Sequence, residues 1–244
     1  SYGAPQWRKR AIFLAGRDGQ HIPHPEPTSQ PGPRAGRRTP NSADRIGPDV
    51  SQQRSLNLSL FGELPIGPTV WEAISDLQGS YADSLDGQCN YGAEPTTEYQ
   101  AQRRDGTDIV RNHFRWRLSE RQLQRIRLLS EGQGQAHLPK ELQTAEGYGS
   151  AYRRMQSDAQ ALTITTWMFH PGSGMFTHPF EDRVVTIREA ARLQSFQDDF
   201  VFYGKYHSQC RQVGNSVAPL VAKSIAQAIL RTLGHEQLQL QLFN

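Results

Sequence analysis

Three stretches of the chain carry the short signature that opens a helix. Thr69 with Glu72, Ser119 with Gln122 and Thr186 with Glu189 each set a hydroxyl three positions before a Glu or Gln, the reciprocal capping pair. Apolar positions follow each at helical spacing: Ala73, Ile74 and Leu77; Leu123, Ile126 and Leu129; Ile187, Ala190, Ala191 and Leu193. A fourth helix is expected after the polar turn Gln212-Val213-Gly214-Asn215-Ser216. Ser216 would cap it, and Val217, Leu220, Val221, Ile225, Ile229 and Leu230 would form its apolar positions.

Two runs read as strands. Ala11 to Ala15 is continuously apolar and stops at Gly16, the pattern of a buried strand, yet the chain offers few strands to pair with both its edges. Leu162 to Trp167 is rich in β-branched residues and ends near the turn His170-Pro171-Gly172-Ser173-Gly174. A strand holding polar loops suits the reading of base edges, although an ordinary hairpin has the same pattern. From about residue 20 to 55, prolines break every period and Arg34, Arg37 and Arg38 punctuate the run, so an irregular insertion is expected there, its charges solvated rather than bound to phosphate. Residues 79 to 111 are polar without a clear period. The arginine-rich helix after Ser119 should expose Arg121, Arg125 and Arg127, mainly as a solvated face.

Composition narrows the picture modestly. The 244 residues carry a formal charge of +3, too small an excess to establish nucleic-acid binding. All but four of the 27 basic residues are arginine, whose planar fork suits phosphates and guanine edges; a GC-rich genome has the same bias. The two cysteines, Cys89 and Cys210, lie far apart without zinc-type spacing, so neither a disulfide framework nor a metal site is expected. No apolar run reaches membrane-spanning length and no signal peptide is visible, so a soluble, cytoplasmic protein without a membrane partner is expected.

Three blocks then point one way. Arg188-Glu189-Ala190-Ala191-Arg192-Leu193-Gln194-Ser195-Phe196 with Asp198, and Arg211-Gln212-Val213-Gly214-Asn215-Ser216-Val217, resemble the last two motif blocks of the DNA cytosine-5 methyltransferases. Gln6-Trp7-Arg8-Lys9-Arg10 resembles that family's Gln-x-Arg-x-Arg block, with Ala11 to Gly16 as the strand that follows it. Three long blocks in family order are far more specific than a lone glycine motif. Ser1 stands directly inside the first block, as in a fragment, a processed piece or one subunit of a split enzyme.

The resemblance implies an α/β fold: the C-terminal part of a Rossmann-like S-adenosylmethionine-dependent methyltransferase domain plus a smaller, mixed, β-rich target recognition domain. Residues 1–19 would give a strand of the catalytic domain, 20–68 a Pro/Arg-rich insertion, 69–210 the recognition domain, 211–233 the closing turn and helix, and 234–244 a tail. It implies a target-cytosine pocket from Arg10, Arg8 and Gln6, and cofactor contacts from Asn215 and Ser216. DNA contacts would come from Arg153, Arg154, Thr163, Ile164, Thr165, His170 and Ser173, the Thr163–Ile164 pair lying beside the flipped nucleotide. Arg188 and Glu189 would be structural, as partners of each other or of the backbone.

The family's Pro-Cys nucleophile, its Glu-Asn-Val and its Phe-x-Gly-x-Gly loop are absent: Cys89 follows Gln88 and Cys210 follows Gln209. Gln197 and Ala218 stand where the family often has proline. The expected function is the C-terminal half or subunit of such an enzyme. It would share S-adenosylmethionine and duplex DNA with an N-terminal half carrying the cysteine, and a cognate restriction endonuclease could accompany it. The alternative is a non-catalytic DNA-binding or regulatory remnant.

Overall fold

Each capping pair forms as its spacing dictates. In the computed structural model, which describes residues 1–17, 19, 21–35, 64–144 and 149–234, helix α1 spans Val70–Ile74, α2 Glu98–Arg104, α3 Glu120–Arg127 and α4 Ile187–Leu193. Reciprocal boxes from Thr69, Ser119 and Thr186 open α1, α3 and α4. Helices α5, Tyr206–Asn215, and α6, Pro219–Thr232, close the described chain.

α4 is buried along its whole length, charges included. A buried ion costs several kcal/mol unless it is paired and hydrogen-bonded, and each one here is. Arg192 meets Asp198 through two bonds of 2.6 and 2.5 Å, Asp76 at 3.2 Å, and the Ala73 carbonyl at 2.9 Å. Because Asp76 lies in the 3-10 turn that prolongs α1, this arginine fastens α1 to α4. Glu189 accepts the Thr186 amide as the capping box requires, then receives both terminal nitrogens of Arg183 at 2.7 Å. Burial alone would raise its pKa; the charge and hydrogen bonds of Arg183 outweigh that and hold the carboxyl well below the ordinary range. Arg188 pairs not with Glu189 but with the carbonyls of Arg111, Gln197 and Phe200 at 2.7 to 3.0 Å.

The end of α4 is equally specific. Ser195 takes a left-handed backbone (φ +68°), with the Phe196 amide reaching back to the Ala191 carbonyl at 2.9 Å. Glycine usually fills this place. Here the serine hydroxyl accepts the Leu220 amide at 3.2 Å, so the strained residue ties the end of α4 to the first turn of α6.

Strands are fewer than the expected β-rich lobe requires. Among the described residues, β1 (Gln6–Trp7) pairs in parallel with β4 (Ala161–Leu162), and β2 (Gln88–Cys89) pairs antiparallel with β3 (Val110–Arg111). The strand expected over 162–167 therefore stops after Leu162, and residues 166–169 form a turn. Residues 11–15 form no strand: Phe13 is 93% exposed and Ile12 43%, and among the described residues no strand pairs with them. Of the Pro/Arg-rich insertion, residues 21–35 run irregularly against the chain start, with the Tyr2 hydroxyl on the Pro25 carbonyl and a bridge from Arg34 to Gln160. Arg37 and Arg38 lie outside the described residues.

Three local expectations are corrected. Gln212 to Asn215 belong to α5 rather than to a turn, so α5 crosses the boundary expected at 211. Ser216 is the C-terminal cap of α5, while Ala218 precedes Pro219 at the first position of α6. Arg125 is buried rather than exposed, because its guanidinium reaches the Leu142 carbonyl at 2.7 Å and the Tyr152 hydroxyl at 3.0 Å. Among the described residues no single helix is long and apolar enough to cross a membrane; α5 and α6, bent by 41°, reach that length only together.

Two buried histidines give the fold a pH dependence. His178 Nδ1 accepts the amides of Phe180 and Glu181 at 3.2 and 3.0 Å, which holds the ring neutral with its proton on Nε2. Burial pushes its pKa down to about 4, and burial lowers that of His113 as well. The unfolded chain takes up these protons as pH falls through about 6.5 while the folded chain resists, so stability drops from there toward pH 4. For His178 the loss should be on the order of 3 kcal/mol. Denaturant unfolding at a series of pH values should show that decline, and His178→Gln, whose amide oxygen can accept the same bonds, should make it shallower. An unchanged slope in the variant would contradict the assignment.

Candidate nucleotide and cofactor site

The chain start, the segment after β4 and the end of α5 meet at one place, and side chains stitch them together. The Gln6 amide donates to Gln194 Oε1 at 2.6 Å and accepts the Ile164 amide at 3.2 Å; Gln194 in turn donates to the Val213 carbonyl at 2.8 Å. Arg8 spans the junction, with one terminal nitrogen on the Ile164 carbonyl at 2.5 Å and the other on the Gly214 carbonyl at 2.6 Å. Thr163 donates its hydroxyl to the Trp7 carbonyl at 2.9 Å. Gly214 is required by packing, since a Cβ there would collide with the Thr165–Thr166 backbone. This is why the segment after β4 abandons sheet pairing: its backbone is claimed by Gln6, Arg8 and the end of α5.

Of the residues expected from sequence, Gln6, Arg8, Thr163 and Ile164 come together here, and Asn215 and Ser216 adjoin them. Ile164 is fully buried. Asn215 is exposed at the last turn of α5, and Ser216 donates its hydroxyl to the Val213 carbonyl at 2.7 Å. Arg10 is exposed and, among the described residues, no hydrogen bond or ion pair holds it. Gln194 was not foreseen as a site residue; its place in the Arg-Leu-Gln-Ser-Phe string of a motif block was the available signal.

The expected DNA contacts fare unevenly. Arg154 is 5% exposed and spends all five donors inside the protein, on the carbonyls of Leu129, Ile126, His178 and Glu181 and on Asp182. It cannot also read a base, and its place as a DNA contact is corrected to a structural one. Arg153 is likewise buried, at 9% exposure. Thr165 accepts the Trp167 amide at 3.3 Å. His170 is exposed and caps the 3-10 turn Pro171–Ser173 through Nδ1, while Ser173 Oγ sits 2.7 Å from the carbonyls of both Trp167 and His170. The loop is thus a built turn rather than a loose one.

Neither thiol is poised for attack. Cys210 is fully buried on α5 and burial pushes its thiol up to about 12; burial also raises that of the half-buried Cys89. Among the described residues no three His, Cys, Asp or Glu side chains gather as a metal ion would need.

The profile of the C-5 cytosine-specific DNA methylases matches residues 1–231. The chain belongs to this family. Its relatives include the type II methyltransferase M.AgeI of Thalassovita gelatinovora, 29% identical over 93% of this chain and 63% of that protein. The type II methyltransferase M.AquIB of Picosynechococcus sp. is 35% identical over 51% of this chain and 90% of that protein. The fold is that of a solved DNA modification methyltransferase encoded within an E. coli prophage, with a TM-score of 0.50 at 22% identity over 74% of this chain and 53% of that one. The chain spans about half to two thirds of the length of M.AgeI and of that solved protein. The family uses S-adenosylmethionine as methyl donor.

The stitching predicts unequal arginines. Arg8→Lys, which cannot span two carbonyls with one ammonium, should cost about 1–3 kcal/mol in denaturant unfolding, whereas Arg10→Lys should stay within about 0.5 kcal/mol of the parent. Equal costs would contradict the geometry.

Proposed function

We propose that this chain is the C-terminal half or subunit of a DNA cytosine-5 methyltransferase, reading a specific duplex sequence and helping to hold the flipped cytosine and S-adenosylmethionine. The observation that carries this reading is Arg8, whose two bonds join the Gln-x-Arg-x-Arg block, the Thr163–Ile164 pair and the Gly214–Asn215 end of α5. Residues separated by more than 150 positions thereby line one place, as a base and a cofactor held side by side would require.

Within that place the roles divide. Arg8 and Gln6 are positioning residues, the two terminal nitrogens of the one and the amide of the other committed to the protein. The uncommitted guanidinium of Arg10 is the group to face the cytosine and stabilise charge near its O2. The exposed Asn215 amide and the remaining lone pairs of Ser216 fit one wall of a cofactor site. S-adenosylmethionine, when bound, supplies the methyl group.

The nucleophile comes from elsewhere. Neither thiol is poised to attack cytosine C6, Cys210 being buried, Cys89 half-buried and both raised in pKa by burial, so an N-terminal half bearing Pro-Cys is the partner this reading needs. Its docking surface would include the exposed Ile12 and Phe13 and the half-covered Leu220, Ile225 and Ile229 of α6. M.AquIB, matched over 90% of its length by about half of this chain, supports the idea that this portion can stand as a separate polypeptide. In the same reading residues 69–210 form the recognition domain, the site of action is cytoplasmic DNA, and the type II names of the relatives fit a companion endonuclease.

The test is covalent trapping on duplex DNA carrying 5-fluorocytosine, with S-adenosylmethionine. This chain would be assayed alone and together with the product encoded immediately upstream. An adduct on the upstream product, formed only in the mixture, is expected. An adduct on this chain alone would overturn the division of roles. Retained DNA binding with no adduct in either case would favour a non-catalytic remnant.

A further inference from the structure

Trp167 is the large aromatic that the site described above leaves unused. It lies three residues past Ile164, at the tip of the 166–169 turn, and is 61% exposed. An exposed indole is ordinary on a loose loop. This one is fixed. Its amide donates to Thr165 Oγ1 at 3.3 Å, and its carbonyl accepts the His170 amide at 3.0 Å with Ser173 Oγ at 2.7 Å.

The ring is also braced from behind. Trp167 leans on Phe169 (centroids 5.4 Å apart), Phe169 on His207 (4.2 Å) and His207 on Trp116 (5.5 Å), which stacks flat on the buried Tyr206 (4.1 Å, 10° between planes). This aromatic column runs from the core to the surface and ends in one free face. α5 faces the 165–169 segment along one side, with His207 against Phe169 and Gly214 against Thr166. Exposed Arg211 lies between them on that side, four residues from the one and three from the other. Exposed Lys205 precedes the helix.

A rigid, planar, exposed ring beside the proposed nucleotide pocket, on a segment flanked by a helix that carries exposed Arg211 and is preceded by exposed Lys205, fits the inside of a nucleic-acid stack. Bases stack on aromatic faces regardless of sequence, and apolar wedges enter base steps when a duplex is opened. We propose that Trp167 is the wedge of this protein: its indole enters the duplex where the cytosine leaves and fills the vacated space, while Arg211 and Lys205 hold the flanking phosphates. The inference rests on the DNA-reading function proposed above. A protein surface covering Trp167 is the competing occupant, and the exposed Arg211 and Lys205 of the flanking element favour DNA.

The test uses the full chain as wild type, Trp167→Ala and Trp167→Phe. The probe is a labelled duplex selected by the wild-type chain from a random-sequence pool, used intact and with each cytosine in turn replaced by an abasic site. Anisotropy titrations should show that wild type prefers one abasic position, where nothing need be displaced. Trp167→Ala should bind that duplex roughly 10-fold more weakly or worse, a larger loss than on the intact duplex, and Trp167→Phe should keep most of the affinity. Because the ring is largely exposed, the variants should melt like the parent. Equal binding by Trp167→Ala and wild type, or equal losses on intact and abasic duplexes, would overturn the wedge while leaving DNA reading intact. If the wild-type chain selects no duplex at all, the DNA-reading function fails, and the wedge with it.

Discussion

Everything near the site depends on the charges buried in α4. A seven-residue helix cannot stand alone in water, and this one holds because its charged side chains reach outward to neighbours that would otherwise be unconnected. Arg192 gathers Asp76 and Asp198, Arg188 collects three carbonyls from β3 and the loop after α4, and Glu189 clamps Arg183 while closing its own cap. A purely apolar helix of this length could pack, but it could not dictate which loop sits where. Removing one partner would strand a charge in the interior, so the arrangement is all or nothing.

From that anchor the path to the site is short. Gln194 directly follows α4 and binds both Gln6 and the Val213 carbonyl; Ser195, next in line, binds the first turn of α6. Two consecutive residues thus set the chain start and the end of α5 in register, and Arg8 locks the segment after β4 between them. The catalytic-looking block at the chain start is therefore mostly scaffold. Of its polar side chains, the Gln6 amide and the terminal nitrogens of Arg8 are consumed in holding the place together, while Lys9 and Arg10 stay exposed.

How much of this could be read from sequence follows the range of the interactions. The three capping boxes were legible because each is complete within four residues. The family and its motif blocks were legible because their order is specific. The strand at 11–15 was not, since a strand exists only with partners, and none lies beside it. Arg125 and Arg154 read as surface charge, yet both are buried, because an arginine goes inside wherever distant carbonyls converge on it, here from Leu142, Ile126 and His178. The same holds for Ser216, which ends one helix instead of starting the next. The aromatic column behind Trp167 joins residues 116, 167, 169 and 207, which no local pattern links.

The central claim is that this chain carries the recognition of DNA sequence for a methyltransferase whose nucleophile lies in another part. The most direct measurement is a hybrid in which residues 1–231 replace the matching stretch of M.AgeI, expressed in a host whose DNA is then mapped for 5-methylcytosine. The account predicts methylation at the sequence that this chain itself selects from a random-sequence duplex pool, because recognition travels with the transplanted stretch. An active hybrid that modifies a different sequence, the one M.AgeI itself modifies, would contradict it.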